Sequence, residues 1–255
     1  MSMNPRLLRP AASGFNPRRI ASLFQWYDGS DRATMFDATT GGAAVADDGT
    51  VARWEDKSGN GYHLTQDTGG NRPALRGALR NGRSVLEYDG ANSNLVSASI
   101  TNELNALSVF AVFFANTIGQ NNLGSIWANN INSGGGQRIL RLQSVTSISA
   151  LFGTNDGRSS AITLSAFTRA HTFWSGGNNR ATDFEFLLNG SAEASITSGT
   201  MTVAAATPET FSVGNRPLGG RAFDGYIAEV LVYDRLLSSS ERVAVDRYLS
   251  GKWGF

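Results

Sequence analysis

The sequence predicts an all-β protein, a sandwich or barrel of many short antiparallel strands, finished by one C-terminal helix. Apolar runs of strand length recur along the chain, the fullest being "SVFAVFFA" at residues 108–115. Loops rich in glycine and asparagine separate them, at 116–124, 129–137, 153–160 and 176–183. A length of 255 residues with 29 glycines and 10 % aromatics suits short strands joined by tight turns, and is enough for one sandwich with a sizeable core.

Taken in order, residues 1–22 stand apart. They hold Arg6, Arg9, Arg18 and Arg19, the prolines Pro5, Pro10 and Pro17, and no acidic residue. Proline at this density favours extended backbone, so the segment is expected to be a basic arm of up to roughly 70 Å reach that docks on a partner. Residues 23–255 are expected to form the folded domain. The run at 108–115 is apolar without alternation, as in a strand buried on both faces. "RILRLQ" alternates, with Leu140 and Leu142 inward and Arg141 and Gln143 outward. In "TDFEFLLNGSAEASI", Phe184, Phe186 and Leu188 share a face, Asn189-Gly190 supplies a type I′ turn, and Ala192, Ala194 and Ile196 return. "TFSVGN" and "YIAEVLVYD" add two strands. The helix that ends the chain begins with a capping box, Ser238 with Glu241. Val245, Leu249 and Trp253 form its apolar stripe beside Tyr248, and Gly251 is placed near its stop. Such a stripe must be buried, so the helix is expected to close over the outer face or edge of the preceding sheet.

The chain has no cysteine, which excludes disulfides, thiolate metal sites and a cysteine nucleophile. Net charge is +1, yet of 22 basic residues only Lys57 and Lys252 are lysines. No apolar run is long enough to cross a membrane. The N-terminal stretch has no continuous apolar core, so no signal peptide is expected.

Four stretches resemble the laminin-G-like, concanavalin A-like jelly-roll domains: "VARWEDKSGNGYHLTQ" (51–66), "RSVLEYDGANSNL" (83–95), "FLLNG" (186–190), and "FSVGNRPLGGRAFDGYIAEVLVYDRLLSSSE" leading to "YLSGKWG". The resemblance covers about residues 23–255 and implies two curved antiparallel sheets. The short start rich in arginine and proline, running directly into such a domain, looks like proteins encoded in phage and prophage structural regions. That second resemblance implies a virion component, a capsid decoration protein or tail-associated adhesin, made in the host cytoplasm and anchored by the arm. It implies other virion proteins as partners and a homo-oligomer, as virion parts follow symmetry. The acid-free segment holding Arg72, Arg76, Arg80 and Arg83 is a second interface candidate, or else a solvated loop.

The alternative is a carbohydrate-binding module for a cell-surface glycan. A sugar site needs an aromatic platform beside amide and carboxylate groups. The candidates are Trp127 with Asn129, Asn130 and Asn132; Asn155 with Asp156; and Trp174 with Asn178 and Asn179. Each tryptophan also reads as a core residue. A polysaccharide-degrading enzyme is the third reading. Glucanase-like relatives carry a Glu-x-Asp-x-x-Glu run that is absent here. The nearest pair, Asp183 and Glu185, alternates with core phenylalanines and so faces away from a cleft, and no catalytic residue is expected. His63 and His171 read as structural. Loop acids such as Asp47, Asp48, Asp156 and Asp183 have no spacing diagnostic of calcium, so no metal or cofactor is expected. Four arm arginines without interleaved aromatics do not indicate nucleic acid.

Overall fold

A computed structural model describes residues 14–100, 104–129, 138–152, 155–192 and 210–255, with the backbone alone at 152, 155–161, 180, 181 and 192. Two antiparallel sheets pack face to face. The eight-stranded lid sheet runs, in spatial order, Ser191–Ala192, Phe184–Leu188, Phe167–Trp174, Leu107–Ala115, Asp224–Tyr233, Arg83–Asp89, Ala74–Arg80, with Leu23–Asp28 paired to the second half of Asp224–Tyr233. The nine-stranded open sheet runs Asn155–Ala161, Ser147–Phe152, Arg138–Ser144, Ser125–Asn129, Phe211–Val213, Leu95–Ser97, Leu64–Thr65, Arg53–Trp54, Met35–Phe36. This is the all-β jelly-roll sandwich with one long C-terminal helix that the sequence predicts.

The unalternating strand Leu107–Ala115 lies where its pattern requires. Leu107, Val109, Ala111 and Phe113 enter the core between the sheets. Phe110 and Val112 point the other way, into a second core. That second core is the underside of the helix Ser239–Trp253, whose Val245, Leu249 and Trp253 are fully buried against Val85, Phe110, Phe173, Ala228 and Leu231. The helix is therefore a lid on the outer face of its sheet. Its capping box at Ser238 and Glu241 forms as expected. Its stop does not fall at Gly251, which stays helical; Gly254 takes the left-handed conformation instead (φ 73°). A glycine within a helix is tolerated where it touches nothing, and no neighbour lies within 4 Å of where a Gly251 Cβ would stand.

Two expectations change. The stretch around Arg72–Arg83 is not a solvated loop. Ala74–Arg80 and Arg83–Asp89 form a hairpin turning at Asn81 and Gly82, both with positive φ (49° and 71°), the same asparagine–glycine signature as Asn189-Gly190. Its tip caps the lid helix: Arg80 Nε and Nη2 donate to the Trp253 and Gly254 carbonyls at 2.7 Å. Asn81 Nδ2 and Arg83 Nε donate to the Lys252 carbonyl at 2.9 and 3.0 Å. Cationic donors there satisfy the orphan carbonyls and oppose the helix dipole. Arg76 pairs with Glu87 at 2.5 Å and with Asp48, and Arg72 donates to the carbonyls of Gln66, Asp37 and Asp67. All four arginines are thus engaged within the chain.

The described part of the expected arm is likewise laid on the domain. Phe15 packs on Tyr248 with ring centroids 5.7 Å apart, Ile20 is buried in the second core, and the Tyr233 hydroxyl donates to the Pro17 carbonyl. Arg18 Nε donates to the Lys57 carbonyl at 2.6 Å, while Arg19 is exposed. Arg6 and Arg9 lie outside the described residues.

Candidate functional site

The strands Leu64–Thr65, Leu95–Ser97 and Phe211–Val213 are neighbours in the open sheet, and being antiparallel they bring three loops to one end of it. A cleft of about 400 Å³ opens there, lined by the amides of Gln66, Asn71, Asn92, Asn94, Gln120 and Asn215 and by no charged side chain. Local chemistry holds these loops. Gly214 turns with φ 85° in a place where a Cβ would stand 1.9 Å from the Tyr88 ring, so only glycine lets the chain pass. Next to it, Asn215 is buried and its Oδ1 accepts from the Arg216 and Arg221 amides, both at 2.9 Å. That fixes the 215–221 loop as one wall. Asp89 fixes the opposite wall by accepting from the amides of Ala91, Asn92 and Ser93, and those bonds hold its carboxyl below the usual carboxylate range against the opposing effect of burial. Gln66 Nε2 donates to both the carbonyl and the side chain of Asn94.

The side-chain amides of Asn71 and Asn92 carry no hydrogen bond among the described residues, and Leu218 stands 68 % exposed at the rim. Each free amide offers two donors and an acceptor, which matches vicinal hydroxyls. A lining without charge gives an ionic ligand no purchase.

None of the sequence-predicted sugar residues lies in this cleft. Trp127 is 1 % exposed and Trp174 3 %. The Trp127 ring packs with Phe211 in the core and its Nε1 donates to Gln25 at 3.3 Å. The Trp174 Nε1 donates to the Gly177 carbonyl at 2.7 Å. Both rings face inward because their strands alternate toward the core, so neither is a platform for a ligand. Asn129 is fully buried, and Asn178 and Asn179 are exposed on the loop beyond Trp174. Asn130 and Asn132 lie outside the described residues, as do the side chains of Asn155 and Asp156. The missed residues carry a signal nonetheless. Asn92 and Asn94 sit in "DGANSNL" and Asn215 in "VGNRPLGG": asparagines crowded into loops that follow or precede strands of one sheet. None of them stands beside a tryptophan in the sequence.

Asp183 and Glu185, the nearest carboxylate pair in the sequence, both have partners within the chain. Asp183 ends the short helical turn Arg180–Asp183 rather than lying on the strand. Its carboxylate accepts from Ser175 Oγ and the Asn179 amide. Glu185 pairs with Arg242 of the lid helix at 2.5 Å. His63 Nδ1 accepts from the Asp56 amide at 3.0 Å. His171 is buried between Phe110 and Phe173. Asp246 lies 3.5 Å from its Nε2 but faces Arg169 at 3.1 Å, so burial and the Arg169 charge prevail and push the imidazole down to about 3.

A second cluster lies on the opposite layer, under the lid. Both lysines of the chain converge on Asp28: Lys57 Nζ at 2.8 Å and Lys252 Nζ at 2.5 Å. Lys252 also reaches Glu229 at 2.8 Å. Glu229 is fully buried and accepts from Trp26 Nε1, the Tyr248 hydroxyl and Trp253 Nε1 at 2.7–2.8 Å. Burial pushes the Asp28 carboxyl up, but Lys252 and Lys57 outweigh it and hold it at about 2. For Glu229, which has a single lysine partner, burial prevails and its pKa is raised. A cavity of about 640 Å³ opens beside this cluster.

With that geometry in view, the solved structures of similar shape can be placed. Domain 4 of an extracellular arabinanase from Geobacillus stearothermophilus, solved with arabinotriose, superposes with a TM-score of 0.59 at 15 % identity, over 86 % of this chain and 96 % of that one. An arabinofuranosidase solved with arabinofuranosyl-α-1,2-xylobiose gives 0.60 at 17 %, over 91 % of this chain and 59 % of its own. A Trypanosoma rangeli sialidase gives 0.58 at 14 %, and the chain spans about a third of it (33 %). These likenesses show the fold. The sequence matches no curated protein. The family model described as the concanavalin A-like lectin/glucanases superfamily, of the laminin G type, matches residues 89–241. That match spans more than half of the sequence and takes in the 89–94 and 215–221 loops of the cleft and most of the strands of the two sheets, and the chain belongs to this superfamily.

Proposed function

We propose that the protein is a carbohydrate-binding, lectin-like module that holds a neutral oligosaccharide in the amide cleft without cleaving it. The observation that carries this reading is the uncharged cleft of about 400 Å³ with the free amides of Asn71 and Asn92 facing it. Sugar hydroxyls, each donor and acceptor at once, satisfy such amides in both senses, and Leu218 gives the apolar face of a ring a surface at the rim. The superfamily supports the reading, as do the sugars bound in the arabinanase domain and the arabinofuranosidase structures. Binding without cleavage is supported by the engagement of Asp183 and Glu185 within the chain, since glycoside hydrolysis needs two carboxyls across the scissile bond. The virion role expected from the N-terminal segment draws no comparable support.

The test is calorimetric titration with arabinotriose, xylobiose and a panel of other neutral oligosaccharides, for wild type and for Asn71→Ala and Asn92→Ala. The expected result is saturable binding to at least one sugar, weakened roughly tenfold by each substitution, the worth of a hydrogen bond or two. Absence of binding across the panel, or binding untouched by both substitutions, overturns the site. New reducing ends after prolonged incubation overturn the non-catalytic part.

A further inference from the structure

The cavity under the lid differs in every respect from the amide cleft. It lies on the other layer, between the segment at Phe15, the first strand and the lid helix, and its walls join aromatic rings to cations: Phe15, Trp26 and Tyr248 with Lys57, Arg83 and Arg247. Its acids are already spoken for. Both Asp28 oxygens are taken by the lysines, with Ser30 also donating to Oδ1 at 2.7 Å, and Glu229 is closed in by Trp26, Tyr248, Trp253 and Lys252. Lys57 also pairs with Asp31 at 2.7 Å, so both lysines are spent on carboxylates of the chain. The arginines at the mouth are not. Arg247 is exposed and makes no hydrogen bond or ion pair among the described residues. Arg83 spends only its Nε, on the Lys252 carbonyl, leaving the terminal nitrogens of its guanidinium.

We infer that this cavity is a second, anion-selective binding site, and that its ligand is a carboxylate-bearing sugar such as a uronate. Two guanidinium forks match a carboxylate in shape and charge. The half-buried faces of Phe15 and Tyr248, 5.7 Å apart, suit the flat apolar side of a pyranose ring, which inorganic phosphate lacks. The inference does not depend on the amide cleft, since it concerns other residues on another layer.

The experiment is a titration of the full chain with glucuronate, glucose and inorganic phosphate, followed by chemical-shift or calorimetric readout. Arg247→Ala is the informative variant because Arg247 supports nothing in the fold; Arg83→Gln is run beside it with a melting curve, since its Nε caps the helix. Expected are glucuronate binding well above that of glucose or phosphate, a loss of roughly tenfold in Arg247→Ala, and no change in Asn92→Ala. No glucuronate binding by wild type, or binding unaltered in Arg247→Ala, overturns the site. Phosphate binding as tight as glucuronate overturns the assignment to a sugar acid. Failure of neutral sugars in the amide cleft, with glucuronate still bound here, would sink the first reading and leave this one standing.

Discussion

Asp28, Glu229 and Lys252 form the costliest arrangement in the chain, three charges almost without water. A buried charge is tolerated only when its partners replace the hydration it gives up, and here each has them. Removing one member leaves the others stranded. Lys252→Met is expected to destabilise the fold by about 3–5 kcal/mol, read by urea denaturation; a loss below about 1 kcal/mol would mean that water replaces the amine. Protonation tells a related story. The Asp28 pKa of about 2 lies below its ordinary value, so its contribution is present above pH ~4 and lost as pH falls through 2. His171, depressed to about 3, favours the fold above its usual 6.5 and loses that contribution on the way down, because the unfolded chain takes up a proton that the buried ring refuses. Glu229, raised by burial, works in the opposite sense. Between pH 6.5 and 3 stability is therefore expected to fall with acid, by a few kcal/mol from the histidine alone. His171→Phe, whose ring suits the pocket between Phe110 and Phe173, should flatten that slope; an unchanged slope would assign it to the carboxylates.

The elements divide according to how local their causes are. The strand Leu107–Ala115, the Asn189-Gly190 turn, the capping box and the buried stripe of the helix were legible because each depends on residues within one turn or one strand. Asn81-Gly82 carries the same turn signature, masked in sequence by the arginines on either side of it. The work of Arg80 and Arg83 could not be read locally, since the carbonyls they cap lie about 170 residues away in sequence. The amide cleft was hidden for the same reason, being made by loops after Thr65, before Leu95 and after Val213. Two measurements probe this level. Ser238→Ala should cost about 1 kcal/mol by loss of the cap, seen as a lower denaturation midpoint with unchanged slope. Gly214→Ala would drive a methyl into the Tyr88 ring at a left-handed position, costing about 2–5 kcal/mol in all. Because Gly214 precedes Asn215, the same substitution should weaken sugar binding at the cleft; a stable protein with intact binding would show that the loop is not held there.

Over the whole molecule, near-neutrality conceals an uneven distribution. A net charge of +1 is divided between an amide cleft without charge on the open sheet and an arginine-rimmed cavity under the lid. Ionic strength separates the two. At 0.5 M salt the Debye length shrinks to roughly 4 Å, so glucuronate affinity is expected to fall severalfold while neutral oligosaccharide affinity stays constant. Equal responses at both sites would contradict the division of labour. The two-sheet sandwich and the lid were legible at this scale from strand pattern and family resemblance. The contrast between the layers was not, since it depends on which side chains exhaust their partners, and that is settled only by the packing.

The seam at Asp28 also fixes the order of events during synthesis. Trp26 meets Glu229 across 203 positions, and Lys252 meets Asp28 across 224. The first strand thus cannot complete its hydrogen bonds until residue 253 has cleared the ribosome, at 5–20 residues per second on the order of ten seconds or more later. During that interval Trp26, Phe110 and Phe173 lack their cover, and the nascent chain depends on chaperones or on speed. A polypeptide cut short before Lys252 loses the lid's last turn, the amine that neutralises two acids, and the carbonyls on which Arg80 and Arg83 rest. Such a product would be recognised as unfinished, and cellular proteolysis would be expected to clear it well before the intact chain.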